Sequence, residues 1–369
     1  MCDNMRRFRS IKKELMKLLP SKPVGNFARH LETMAFIISG IIASQSCNLP
    51  KKAIKVADLR KPESRVRSFS RWLNNERIDF TLYYLPFAEL LVRCLSTAGK
   101  PLTVIFDGSC VGRNCIALVA SIVYRKRALP IVWIVRQGAK GHFPEALHLE
   151  LAERVQQIIP SGTEVIFLGD GESDGAELIT LVKSFCWFFV LPTAKDRKFL
   201  ENDEAFSARM IGVGEDDYFE IPNVSLENDS SPGLMNLIVY WKKTWEEPIC
   251  LLTNIEPLRE AVYWYQKRFT IETFFSDQKT CGFRLHKSHI SEPDRLERLM
   301  MASCLAYIWI IFLGALAIEK GWHRKIHRTD RCDLSLFQLG LRLMDYRLNM
   351  AQNIPMQLTL FGKFIKSVR

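Results

Sequence analysis

Three segments rich in β-branched and aromatic residues follow one another between residues 102 and 137: LTVIFDGS, CIALVASIVY and LPIVWIVRQ. Because no helical pattern separates them, they predict a meander of three antiparallel strands. They are followed by a helical pattern at 145–159, a strand at TEVIFLGD, a helix at about 174–184 and a strand at WFFVLPT. Strands that then alternate with helices limit this part of the chain to a mixed α/β fold, a sheet with helices packed on it.

The rest of the chain is arranged around this segment, whose strand and helix order is that of a ribonuclease-H-like domain. Residues 1–97 have helical patterns, whereas residues 194–250 are polar and turn-rich, with strand-like YFEIPNV and LIVYWKK. We therefore predict a helical, basic domain at 1–97 and an α/β domain at 98–320 that carries a β-rich insertion at about 194–250. A helical C-terminal tail would occupy 321–369.

The positive charge of the chain is confined to its first part. Residues 1–75 contain 16 Lys and Arg and 5 Asp and Glu, so the whole net charge of +11 lies there. Phosphate neutralisation gives such a module affinity for nucleic acid that does not depend on base sequence. Arg67 and Arg71 are four residues apart and share a helix face, which fits a DNA backbone. A merely solvated helical surface is the alternative.

Two features bear on the cellular compartment. The ten cysteines form no CxxC pair and the basic N-terminal segment lacks the pattern of an export signal, so we expect reduced thiols and a cytoplasmic protein. Residues 299–318 are twenty uncharged residues, the length of a membrane-spanning helix. A helix buried in a large α/β core is also apolar on every side, and we expect burial rather than a membrane span.

Two aspartates follow apolar strand patterns. Asp107 is predicted to end the strand TVIFD and Asp170 to end VIFLGD. One aspartate at a strand end is ordinarily a turn or cap residue. Carboxylates at the ends of adjacent strands, however, are placed to share a divalent cation, because such ions prefer oxygen ligands.

A third carboxylate lies in AVYWYQKRFTIETFFSDQKTCGF. In a continuous helix, the spacing of Tyr265, Arg268, Glu272 and Lys279 places all four on one narrow face. An amphipathic helix that only faces water would instead carry scattered polar residues. The sequence instead sets one carboxylate among two cations and a phenol.

These residues resemble the DDE transposases of bacterial insertion sequences, in particular the IS-four family with its Tyr, Arg, Glu, Lys signature. The signature spacing is matched without a gap, and FDGS at Asp107, LGD at Asp170 and SRVRSFSRWL at 64–73 also look like the family. The resemblance covers about residues 25–315. It implies a ribonuclease-H-like catalytic core with a β insertion between the second Asp and the Glu.

The resemblance also implies a chemistry. Asp107, Asp170 and Glu272 would hold two divalent ions, Mg²⁺ or in its place Mn²⁺, that serve DNA cleavage and strand transfer. Arg268 and Lys279 would bind phosphates beside the scissile bond and Tyr265 would contact DNA. The implied partners are the terminal inverted repeats and target DNA, bound by a homodimer at the bacterial nucleoid.

Other polar groups have simpler interpretations beside the functional ones. Asp174 is expected to be a helix cap rather than a ligand. Trp241 and Trp245 are candidates for a base-stacking platform, although tryptophans in a small β unit usually belong to its core. His323 and His327 resemble half a metal site, but a basic surface helix is the simpler interpretation.

Two other functions are compatible with the same residues. A ribonuclease-H-like nuclease would share the metal site and cleave without strand transfer. A catalytically silent, transposase-derived DNA-binding regulator would share the fold, but the presence of all three acids disfavours it.

Overall fold

The computed structural model describes residues 2–17, 19, 22–56, 58–96, 100–138, 143–227 and 232–356. The predicted domain boundary at 97/98 and the last part of the predicted tail, 357–369, lie outside these residues. The helices are α1 Asp3–Lys17, α2 Gly25–Ser44, α3 Leu49–Ile54, α4 Pro62–Leu73, α5 Phe80–Tyr83, α6 Leu85–Leu95, α7 Glu145–Gln156, α8 Ala176–Ser184, α9 Arg259–Arg268, α10 Thr270–Gln278, α11 Pro293–Glu319, α12 His323–Ile326 and α13 Leu336–Asn349. The strands are β1 Leu102–Gly112, β2 Cys115–Tyr124, β3 Arg127–Gln137, β4 Val165–Leu168, β5 Phe188–Thr193, β6 Lys198–Glu201, β7 Glu204–Ser207, β8 Asp217–Leu226, β9 Met235–Trp241 and β10 Ile249–Thr253.

The strands form one ten-stranded sheet in the order β3-β2-β1-β4-β5-β10-β9-β8-β6-β7. The first three strands form the predicted antiparallel meander. β4 and β5 then join parallel to β1, with α7 and α8 as their crossovers. The mixed α/β prediction is therefore confirmed, and the order is consistent with a ribonuclease-H-like core.

The β-rich segment after β5 extends the same sheet. β10 returns antiparallel to β5, and β9, β8, β6 and β7 continue outward from it. β10 is thus both the link back to the core and the strand on which the added strands are built. Its neighbour β9 is buried through most of its length, which is why LIVYW is so apolar.

The first strand differs from its prediction. Asp107 was expected to end this strand, but β1 runs on to Gly112. Residues beyond Asp107 remain paired with β2 through a tight turn in which Asn114 has φ of 55°. Only the pairing with β4 stops before Asp107. The apolar pattern of β1 ends near the point where its pairing with β4 ends, because β1 is less buried beyond that point.

The helix that carries the Tyr, Arg, Glu, Lys spacing is also different. One continuous helix was predicted, but the chain forms α9 and α10 with a break at Phe269. At the break, Thr270 Oγ1 donates to Lys267 O at 2.8 Å and Thr273 Oγ1 donates to Thr270 O at 2.7 Å. Threonine hydroxyls that bond nearby carbonyls bend helices. The spacing of Tyr265, Arg268, Glu272 and Lys279 assumed a straight helix and so did not predict this break.

The apolar run at 299–318 lies in α11, the core helix of the molecule. This helix is long and apolar enough to cross a membrane, and 94% of its most hydrophobic window is buried within the protein. Such burial agrees with the interpretation as a core helix. α13 packs against it so closely that Gly314 and Gly340 each lie against backbone of the other helix.

The N-terminal segment is helical, as predicted, and its helices share one apolar core with the sheet. Arg298 of α11 donates to Ile78 O at 3.0 Å and to Leu73 O at 2.9 Å. Arg6 of α1 donates to Leu348 O at the end of α13 at 2.6 Å. The bonds of Arg298 join the N-terminal helices to α11, and the bond of Arg6 joins the first helix to the last.

Candidate active site

Asp107 and Asp170 lie side by side at one edge of the sheet. Parallel pairing aligns Ile105 of β1 with Leu168 of β4, and each aspartate stands two residues further on. The Asp107 side chain is only 16% exposed. Burial first, and then the charge of Asp170, raises the pKa of Asp107 to about 6. The two carboxylates therefore repel each other from neighbouring strands.

Arg268 connects Asp107 to the third acid. Its Nη1 lies 3.6 Å from Asp107 Oδ2 and its Nη2 lies 3.9 Å from Glu272 Oε1. Because the two nitrogens of a planar guanidinium are about 2.3 Å apart, these contacts limit the two carboxylate oxygens to a separation of about 10 Å. The Arg268 charge also opposes the rise in the pKa of Asp107. The break at Phe269 has not removed Arg268 and Glu272 from the site.

Lys279 reaches the same edge from the end of α10. Its Nζ donates to Ser109 Oγ at 2.5 Å, and Ser109 is two positions along β1 from Asp107. Alternate residues of a strand share a face, so this ammonium lies on the Asp107 side of the sheet. Tyr265, by contrast, is buried, with its ring 5.7 Å from the Arg268 guanidinium. Its ring contacts in this structure are therefore to Arg268 and to the Phe269 ring.

Asp170 is oriented by the turn that follows it. Its Oδ1 accepts from Glu172 N at 3.2 Å and from Ser173 Oγ at 3.1 Å. Ser173 is fully buried, and a Cβ at Gly169 would lie 2.4 Å from its Oγ. Burial lowers the pKa of nearby His148, against the opposing charge of Asp170. The second aspartate thus has a carboxylate held by its own turn, near an imidazole whose pKa is lowered by burial.

The expectation that Asp174 caps a helix is wrong. The residue before α8 is Gly175, and no side-chain bond is made from that position. Asp174 Oδ2 instead accepts from Thr193 Oγ1 at 2.6 Å and from Arg197 Nη1 at 2.7 Å. The N-terminus of α8 is capped by Glu145 of α7, whose Oε1 accepts from Leu178 N at 3.0 Å. Glu145, which is distant in sequence, therefore caps α8 instead of the adjacent Asp174.

The arginines of α4 fall into two groups, one exposed and one buried. Arg67 and Arg71 are exposed on one face, at the predicted positions. Arg65 is buried and donates to Asp58 Oδ1 at 2.6 Å, while Trp72 Nε1 donates to His30 O at 3.0 Å. Arg65 and Trp72 therefore hold the helix in place, and the outward arginines remain as the candidates for DNA contact.

The remaining candidates lie apart from the three acids. Trp241 and Trp245 are half-buried and joined by a 3.1 Å bond from Trp241 Nε1 to Trp245 O. His327 Nε2 contacts Asp333 at 2.5 Å beyond α12. Within the part of the chain that the structure describes, neither histidine of this segment belongs to a metal-binding cluster.

The donor set fits a hard divalent ion in its chemistry, since all three side chains offer carboxylate oxygens. Among the described residues no three or more His, Cys, Asp or Glu side chains lie close enough together to hold a metal ion. Glu272 is the outlying member, because it affects the Asp107 pKa less than Asp170 does. Its side chain is 61% exposed, so it is free to turn toward the aspartate pair.

The family comparison decides what kind of domain this is. A family model described as the transposase DDE domain matches residues 98–309, which include all three acids. The chain belongs to the transposase DDE domain family. No curated protein matches the sequence of this DDE-domain chain.

Solved structures resemble this DDE-domain chain at low identity. The transposase chain of a piggyBac synaptic complex with hairpin DNA is 11% identical to this chain. The match covers 100% of this chain and 85% of the piggyBac chain, with a TM-score of 0.49. The catalytic domain of human Endonuclease V is 14% identical to this chain. The match covers 66% of this chain and 96% of the Endonuclease V chain, with a TM-score of 0.24.

Sequence reasoning missed several residues of this DDE domain. Ser109 receives the Lys279 ammonium, and the only signal was a polar residue two positions after Asp107. Glu172 and Ser173 lie two and three residues after Asp170 and both donate to its carboxylate, a role that no sequence pattern indicated. Phe143 and Glu145 come from a segment with no recognisable motif, and only the fold brings them to Glu172 and to the N-terminus of α8.

Proposed function

We propose that this chain is a DNA transposase of the IS-four family that cleaves transposon ends and joins them to target DNA by transesterification. The observation that carries the proposal is the pair Asp107 and Asp170 on adjacent parallel strands, linked through Arg268 to Glu272 within a transposase DDE domain. Acid pairs of this kind serve phosphodiester chemistry when they hold divalent ions.

The metal ions would be Mg²⁺, with Mn²⁺ as a substitute, and the carboxylates of Asp107, Asp170 and Glu272 would hold them. When bound, such ions activate the attacking oxygen and stabilise the leaving one. Asp107 must be ionised for this role, and its pKa of about 6 leaves it largely ionised above neutral pH.

The cations of the chain have separate roles in the proposal. Arg268 keeps Asp107 and Glu272 facing one another, and its planar fork suits a phosphate oxygen pair as well as carboxylates. Lys279, fixed at Ser109, offers one ammonium to a phosphate next to the scissile bond. Arg67 and Arg71 would contact the DNA backbone away from the chemistry. We infer that a homodimer holds two DNA ends in the cytoplasm.

The test is a plasmid that carries the gene with its native flanking DNA, incubated with purified protein and Mg²⁺. Wild-type protein should release the element and yield joined products. Asp107→Ala, Asp170→Ala and Glu272→Ala should each abolish cleavage and keep DNA binding. Retained cutting by any variant would remove that residue from the site. Cleavage without joined products would favour the nuclease alternative.

A further inference from the structure

The turn after Asp170 makes a second connection, across the site, that neither the sequence motifs nor the proposed chemistry uses. Glu172 Oε2 accepts from the backbone N of Phe143 at 3.0 Å. Phe143 lies just before α7, twenty-nine residues away in the chain. Glu172 therefore makes two bonds: its backbone amide donates to Asp170, and its side chain accepts from the distant Phe143.

The ring of Phe143 rests on the strand that carries Asp107. Phe143 is buried, and a Cβ at position 108 would lie 2.3 Å from its Cε2 atom. Only glycine allows the ring to approach β1 this closely. The Phe143 ring thus covers the residue that directly follows Asp107.

These contacts form a closed chain from one aspartate to the other: Asp170, Glu172, Phe143, Gly108 and Asp107. Two ionised carboxylates on neighbouring strands repel each other. Parallel pairing of β1 with β4 ends two residues before them. The paired strands bring the acids side by side, but their backbone hydrogen bonds stop short of them, so this contact chain is available to fix the final spacing.

We propose that Glu172 is a positioning residue that fixes the Phe143 ring on Gly108 and thereby sets the spacing of Asp107 and Asp170 for a shared divalent ion. We call the contacts from Glu172 through Phe143 to Gly108 the brace. The metal in this inference rests on the proposed function, whereas the brace rests on the structure alone. It assigns Glu172 the role of a hydrogen-bond acceptor rather than that of a fourth metal ligand. Outer-shell partners of this kind typically change metal affinity by about 10–100-fold when they are removed.

The test compares Glu172→Ala with Glu172→Gln, because glutamine keeps an acceptor oxygen for the Phe143 amide and loses the charge of a ligand. Glu153→Ala is the control, since Glu153 is an exposed acid on α7. Phe143→Ala removes the other half of the brace. Thermal unfolding of every variant shows whether the protein is folded.

The brace is measured on metal-free protein by hydrogen exchange of the Phe143 amide. Phe143 is the only phenylalanine in the sequence that follows a histidine. Labelling histidine with ¹³C at the carbonyl and phenylalanine with ¹⁵N therefore isolates its NMR signal. Glu172→Ala should lose exchange protection by at least about tenfold, whereas Glu172→Gln and Glu153→Ala should stay near wild type.

The consequence is measured by Mn²⁺ binding, followed through the EPR signal of the free ion. Glu172→Ala and Phe143→Ala should bind Mn²⁺ about 10–100-fold more weakly, with Glu172→Gln within about threefold of wild type. Equal losses in the Gln and Ala variants would make Glu172 a ligand and overturn the proposal, as would unchanged exchange and binding in Glu172→Ala. If wild-type protein neither binds Mn²⁺ nor cuts DNA, the proposed function fails, and the metal-positioning role fails with it. The exchange data still decide whether the brace exists.

Discussion

Arg268 Nη1 lies 3.6 Å from Asp107 Oδ2, so that a cation of α9 faces the buried carboxylate of β1. The same guanidinium approaches Glu272 on the next helix. Two segments far apart in the chain, β1 and the consecutive helices α9 and α10, therefore meet at one charged group.

Asp107→Asn should abolish cleavage and stabilise the fold at pH 7.5 without divalent ions. The pKa of Asp107 is raised to about 6 by burial and by Asp170, so its ionisation opposes folding. That penalty is absent below the unfolded pKa and is complete above the folded one, which makes it on the order of 2 kcal/mol at pH 7.5. Urea unfolding of both proteins measures it, with exposed Glu153→Gln as the control. A destabilised Asn variant would contradict the prediction.

Arg268→Lys should lower the cleavage rate by about 10²-fold with little change in DNA affinity. A single ammonium cannot contact Asp107 and Glu272 together, whereas the planar fork of arginine does so. Single-turnover cleavage and filter binding separate the two effects. Arg259→Lys, an exposed position on the same helix, should leave both unchanged. A wild-type rate for Arg268→Lys would show that one positive charge is enough.

Lys279→Ala should weaken binding of the cleaved DNA end and reduce its dependence on salt. Each phosphate contact contributes about 0.9 to the slope of log affinity against log salt concentration, and this ammonium is held beside Asp107 by Ser109. Binding is measured at several salt concentrations. Lys126→Ala, at an exposed turn, is the control. An unchanged slope would exclude a phosphate contact by Lys279.

The double variant Arg67→Ala, Arg71→Ala should lower DNA affinity and leave the rate of cleavage of bound DNA unaltered. Both arginines are exposed on one face of α4, and loss of two phosphate contacts reduces the salt slope by about 2. Titrations with labelled DNA and single-turnover rates at saturation measure these quantities. A slower rate at saturation would place this face in the chemistry.

Arg127→Met should destabilise the protein more at pH 7.5 than at pH 5. Arg127 Nη1 lies 2.8 Å from Asp277 Oδ2 in a mostly buried pair between β3 and α10. Burial raises the pKa of Asp277 to about 6 against the effect of Arg127. Above that pH the variant leaves a buried charge unpaired, at a cost of about 3–5 kcal/mol, and at pH 5 protonation relieves most of it. Urea unfolding at both pH values tests this, and equal losses would contradict it.

Much of the fold could be predicted because local patterns and burial agree. The strands β1 to β5 and their crossover helices have the expected order, since apolar runs become strands wherever both sheet faces are covered. The spacing around Glu272 also indicated Arg268 as its neighbour. It did not predict the break at Phe269, because that depends on which carbonyls the hydroxyls of Thr270 and Thr273 reach.

The sequence by itself determined which residues offer charge and where the strands lie, because residue type and periodicity are local properties. It also identified Asp107, Asp170 and Glu272 as the acids to compare. Only the tertiary structure decided that Glu145 caps α8 in place of Asp174, and that the Phe143 amide bonds Glu172. Such contacts join segments distant in the chain. They depend on how helices pack on the sheet, a three-dimensional relationship that no local pattern of residues encodes.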